Sequence, residues 1–111
     1  MDNSLKESLD HANKMKVFNN QLRLLKEKYL ERNIHFTVGH QFTIDLKLIN
    51  YCITLKNQNK TKDVIILDDY DLPVRIDDLK SFYDNIIDLY QQNLNAYIVE
   101  YNKLVQDKGR I

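Results

Sequence analysis

The chain has 111 residues, 43% of them hydrophobic and 29% charged, with a formal net charge of zero. That is one domain with a single core of modest size, since the length leaves no room for a second. No apolar run approaches the ~20 residues of a membrane span, the opening MDNSLKESLDHANK lacks the apolar stretch of a secretory signal, and the lone cysteine, Cys52, excludes a disulfide scaffold and fits a reducing, cytoplasmic setting.

The first predicted element is a long helix over residues 4–33. Ser4 and Glu7 fit the S-x-x-E capping box, in which each side chain satisfies a backbone N–H of the other. Apolar residues then recur in steps of three and four from Leu5 and Leu9 through Phe18 and Leu22 to Tyr29. The stripe drifts round the helix, as a seam with a repeat of about 3.5 does, which suits a partner helix.

The middle of the chain reads as strands over 34–38, 42–48, 51–56 and 63–67. Phe36 and Val38 precede Gly39, and Phe42 and Ile44 come after it, so a turn at Gly39 is expected because glycine tolerates positive φ. Ile44, Leu46 and Leu48 alternate with Asp45 and Lys47; Tyr51, Ile53 and Leu55 resume the alternation one residue out of phase, which a bulge near Asn50 would correct. The last element is a helix over 77–107. Its apolar side chains, from Leu79 through Ile86 and Tyr97 to Val105, fall within a sector of ~160° at ~100° per residue. Asp77 is the expected N-cap, Asp78 favours the first turn, and Lys108-Gly109 makes a stop.

The expected class is therefore α+β: a long N-terminal helix, a three- to four-stranded antiparallel meander and a long C-terminal helix packed on one face of the sheet. A helix of ~30 residues spans ~45 Å, whereas strands of five to seven residues span only ~17–24 Å. The overhang needs a cover, either the first helix or a second copy of the chain.

The residues that invite a chemical reading are few. Asp68, Asp69, Asp71, Asp77 and Asp78 cluster in ILDDYDLPVRIDD. No EF-hand pattern is present and Asp71-Leu72-Pro73 reads as a turn, so a metal site is not expected. The functional alternative is an acidic docking surface of Asp68, Asp69 and Asp71, joined by Asp84 and Asp88. His35 to Val38 resembles one copy of the H-x-T motif of two-histidine phosphoesterases, but the second copy their acid–base chemistry requires is missing. His35 and His40 flank the Gly39 turn without completing a tetrahedral metal set. Two glycines leave no phosphate-cradling loop. The basic residues of the first helix are spread round it and interrupted by Glu7, Asp10, Glu27 and Glu31, unlike a nucleic-acid-tracking face. Tyr83, Tyr90 and Tyr97 recur every seven residues, with Tyr101 beside them. Such tyrosines suit a helix–sheet core, the rim of a dimer interface, or stacking on a planar ligand held between subunits.

Asn, Lys, Ile and Tyr supply 42 residues and Ala, Gly, Pro and Arg only 9, the bias of an AT-rich genome. Residues 1–62 are net basic and residues 63–111 net acidic, a split that signals either internal pairing of the halves or an interaction surface. The expectation is a cytoplasmic, non-enzymatic binding protein without cofactor or metal, of the phage or mobile-element regulator or inhibitor kind. It would dock on a macromolecular partner, foremost a protein, as a homodimer. The alternatives are a nucleic-acid-linked protein, whether acidic mimic or weak binder, and an oligomer that sequesters a small ligand such as a nucleotide.

Overall fold

The computed structural model describes residues 3–109, with side chains to Asp107. In chain order it contains α1 (Asn3–Arg32), β1 (Ile34–Thr37), β2 (His40–Thr43), α2 (Leu46–Asn57), β3 (Lys62–Leu67), β4 (Pro73–Asp78) and α3 (Leu79–Gly109). The class is α+β, with the expected long helix at each end. The four strands form two antiparallel pairs, β1 with β2 and β3 with β4.

The first hairpin turns on Val38 and Gly39. Both have positive φ, 51° and 76°, and Thr37 pairs with His40 across them, which makes a two-residue type I′ turn whose twist matches the strands. The next segment differs from the sequence expectation. Residues 46–57 are a helix, so the strand expected over 51–56 is absent and that over 42–48 is cut back to the end of β2 at Thr43. The phase slip near Asn50 has a helical cause: Ile49, Cys52 and Leu55 lie on one buried face at steps of three. Asp45 starts this helix, its backbone extended and its Oδ1 accepting the Leu48 N–H at 2.8 Å.

Residues 73–78, expected as turn and cap, form β4 instead. Val74 and Ile76 point into the core while Pro73, Arg75 and Asp77 face outward. The cap of α3 consequently moves one residue on. Asp78 Oδ1 accepts the Lys80 N–H at 3.1 Å and its Oδ2 accepts the Ser81 hydroxyl at 3.0 Å, whereas Asp77 is exposed on β4. The stop expected at Lys108-Gly109 falls at the edge of the description: α3 is helical at Gly109, and residues 110–111 lie outside the described residues.

Two regions result. In the head, both hairpins and α2 pack on the first half of α3 round Phe42, Ile44, Cys52, Leu79, Phe82 and Ile86. Each large apolar side chain buried there contributes ~1.5–3 kcal/mol. In the arm, α1 runs antiparallel to the second half of α3, supplying the cover that the long helix required. The Tyr29 and Tyr97 rings lie 4.6 Å apart, and Glu100 takes Arg32 at 3.1 Å and Lys28 at 3.3 Å. Head and arm join at Asn93, whose amide donates to the Arg32 carbonyl and to Asn33 Oδ1, both at 2.8 Å. The molecule measures 71 × 24 × 21 Å.

Candidate functional site

The acidic loop between β3 and β4 is held from within. Asp68 is only 6% exposed. Its Oδ1 accepts the N–H groups of Tyr70 and Leu72 at 2.8 and 2.9 Å, and its Oδ2 meets His40 Nδ1 at 2.7 Å. The bond from His40, then those from the Leu72 and Tyr70 N–H groups, hold this carboxyl below the ordinary aspartate range despite its burial. Asp69 donates its backbone N–H to the Gln41 carbonyl at 2.9 Å. Its carboxylate accepts the Thr43 N–H at 2.7 Å, the Thr43 hydroxyl at 2.8 Å and the Gln41 amide at 2.9 Å. Both aspartates therefore stitch the second hairpin to β2.

Of the acidic residues singled out in the sequence, Asp71 stands exposed at φ 61°, and Asp69 is exposed with its oxygens already engaged. Asp84 and Asp88 are exposed on the side of α3 away from Phe82 and Ile86, so the structure does not bring them to the loop. His40, Gln41 and Thr43 are the partners that sequence reasoning missed. They lie 26 to 28 residues from the aspartates they hold, and no local pattern announces such a pairing.

The loop closes one end of a trough between α2 and β3. Leu48, Tyr51, Ile65 and Leu67 line its apolar wall, and Thr43, Asp45, Lys47, Asp69 and Asp71 its polar end, around a volume of about 430 Å³. A second hollow of about 470 Å³, beside Leu55, Lys60, Lys62 and Asp63, shares Tyr51 and Ile65 with the first. Together they run along the length of β3.

The backbone of β3 faces this trough. The Tyr51 hydroxyl donates to the Ile65 carbonyl at 3.4 Å, so that carbonyl points toward α2 and away from β4. In an antiparallel pair the direction alternates along the strand, so Leu67 faces outward as well. The register agrees: Pro73, which has no N–H to give, sits opposite Leu67. β3 thus presents an edge without a strand partner to a partly apolar trough, its Ile65 carbonyl covered by the Tyr51 hydroxyl.

Three of the four tyrosines, Tyr83, Tyr90 and Tyr97, serve the molecule's own packing. Lys56 Nζ lies 4.4 Å from the centre of the Tyr83 ring. The hydroxyl of Tyr90 bonds to Tyr29, and that bond, with burial second, raises its pKa above the ordinary tyrosine value. Tyr97 packs on Tyr29, and Tyr101 alone of the four is exposed, at 41%.

The remaining candidates of the sequence sit within the packing or apart from one another. Burial pushes the Cys52 thiol up to about 11, leaving it an inert core group. His35 packs edge-on against Phe82 at 6.1 Å. Among the described residues no group of three or more His, Cys, Asp or Glu could hold a metal ion, and no helix is long and apolar enough to cross a membrane. In comparisons with known proteins, no family model, no curated protein and no solved structure matches the chain.

Proposed function

We propose that this chain is a cytoplasmic, non-enzymatic binding protein that works as a homodimer and docks on a protein partner through the trough between α2 and β3. One observation carries the docking reading: the edge of β3 without a strand partner opens on an apolar trough with an acidic end. An extended segment of the partner would add to β3 as a further strand, its main chain pairing with Leu67 and displacing the Tyr51 hydroxyl from the Ile65 carbonyl. Alternate apolar side chains would fill the space round Leu48 and Tyr51, and a Lys or Arg would lie over Asp69 and Asp71. A regulator or inhibitor, of the phage or mobile-element kind that the AT-rich composition suggests, is the class of protein such a surface serves.

The test is a display library of ten-residue peptides panned against the intact chain. Enriched sequences should alternate apolar residues and carry a basic residue at one end. Their affinity should fall at least tenfold on Ile65→Lys with Leu67→Lys, two exposed positions whose change leaves the core intact. A library that yields no enriched sequence, or peptides indifferent to the double variant, would sink the reading.

A further inference from the structure

We infer that the second copy of this chain docks on the arm along Leu94, Ile98, Tyr101 and Val105 of α3, the two α3 helices crossing antiparallel. The inference rests on the homodimer part of the reading above and gives it a surface.

α3 carries two adjacent seams in its second half. Asn93, Tyr97, Glu100 and Leu104, spaced four, three and four, face α1 through the Asn93 bonds, the Tyr29 contact, the Glu100 ion pairs and the groove that Leu104 shares with Phe18. The neighbouring set, Leu94, Ile98, Tyr101 and Val105, repeats the same spacing one residue further on. A helix with two such seams is built for two helical partners. The first seam has its helix. The second faces outward, with Ile98 50% and Val105 40% exposed.

The character of the seam points to a copy of itself. From Leu89 to Val99 there is no charged residue, and the outer flank of the seam is Gln91, Asn95 and Asn102. Laid antiparallel on its twin, Leu94 meets Val105 and Ile98 meets Tyr101, so each side chain finds an apolar counterpart. The side-chain amides pair across the rim, and no like charges are forced together. A strongly charged partner would find nothing on this strip to answer its charge.

Size agrees as well. At ~100° per residue, Leu5, Leu9, Ala12 and Leu30 of α1 fall on the same side of the arm as the α3 seam. An α1 of ~45 Å beside the ~30 Å of α3 that lies in the arm, each ~10 Å wide, offers a face of roughly 750 Å², close to the ~800 Å² per partner of a stable interface. Of the charged residues on that face, Lys16 and Lys26 lay down aliphatic stems and carry their charges to the rim, and Arg23 is neutralised by Glu27 at 2.7 Å. The first turns of α1 extend past the groove where Lys14 and Phe18 lie beside Leu104 and Asp107, and every residue from Asn3 to Lys14 is exposed. In the antiparallel arrangement this overhang reaches the partner's head.

Sedimentation equilibrium of the full chain, with circular dichroism as a check on folding, tests the inference. The wild type should be a dimer. Ile98→Asp with Val105→Asp should keep its helical signal and weaken the dimer at least ~100-fold, while Val99→Asp, equally on α3 but off the seam, should leave the dimer intact. A wild-type chain that stays monomeric at high concentration overturns both the inference and the homodimer reading. A dimer that survives the double variant, or is lost equally with Val99→Asp, leaves the homodimer reading standing and overturns this interface.

Discussion

Val38 stands at φ 51°, where the branched Cβ crowds the preceding carbonyl, and its side chain is 82% exposed, so no packing compensates. Its place in a type I′ turn explains the geometry: both central residues must be left-handed, and Gly39 satisfies that demand while Val38 resists it. Asparagine at this position would make the Asn-Gly pair that such turns favour. Val38→Asn should therefore stabilise the fold by about 1 kcal/mol, seen as a higher urea midpoint with an unchanged slope. An unchanged or lower midpoint would mean that Val38 gains from some contact what it loses in its backbone.

At the scale of elements, α2 shows where sequence legibility stops. Both long helices are plain, because some thirty residues of consistent periodicity outvote any local ambiguity. Residues 44–55 hold two periods at once. Ile44, Leu46 and Leu48 alternate as a strand does, and Ile49, Cys52 and Leu55 repeat as a helix does; twelve residues are too few for either to prevail on pattern alone. The deciding feature is Asp45, an N-cap in the structure and a mere polar alternation in the strand reading. Asp45→Ala should cost about 1 kcal/mol of stability by leaving the Leu48 N–H without its acceptor, read from chemical denaturation. Asp45→Ser, which keeps a capping oxygen, should recover most of the loss, and failure of that rescue would show that Asp45 acts otherwise than as a cap. The acidic loop obeys the same limit. Its aspartates are visible in the sequence, but their role is set by His40, Gln41 and Thr43 on another hairpin, and only folding brings those together.

For the whole molecule, three carboxylates reinforce the joints between parts: Asp68 helps tie hairpin to hairpin, Asp78 starts α3, and Glu100 helps bind the arm. All three are held below their ordinary range, by His40 for Asp68, by the Ser81 hydroxyl for Asp78 and by Arg32 for Glu100. A depressed folded-state pKa means that the unfolded chain binds more protons across the interval between the two values, so stability rises with pH there. Their combined contribution is complete above the unfolded carboxylate range of about 4 and is lost as pH falls through the lower folded values. Thermal unfolding from pH 7 to pH 2 should give a level plateau and then a fall that begins near the ordinary carboxylate range. Added salt should soften the part that comes from Glu100, whose ion pairs are open to solvent, more than the part from Asp68 inside the head. Replacing Asp68 with Asn removes its titration together with its charged bond to His40. That variant should melt lower at neutral pH and lose less on acidification than the wild type. Parallel acid profiles for the two proteins would mean that Asp68 shares little in the acid response, and that the stitch between the hairpins rests on Asp69 instead.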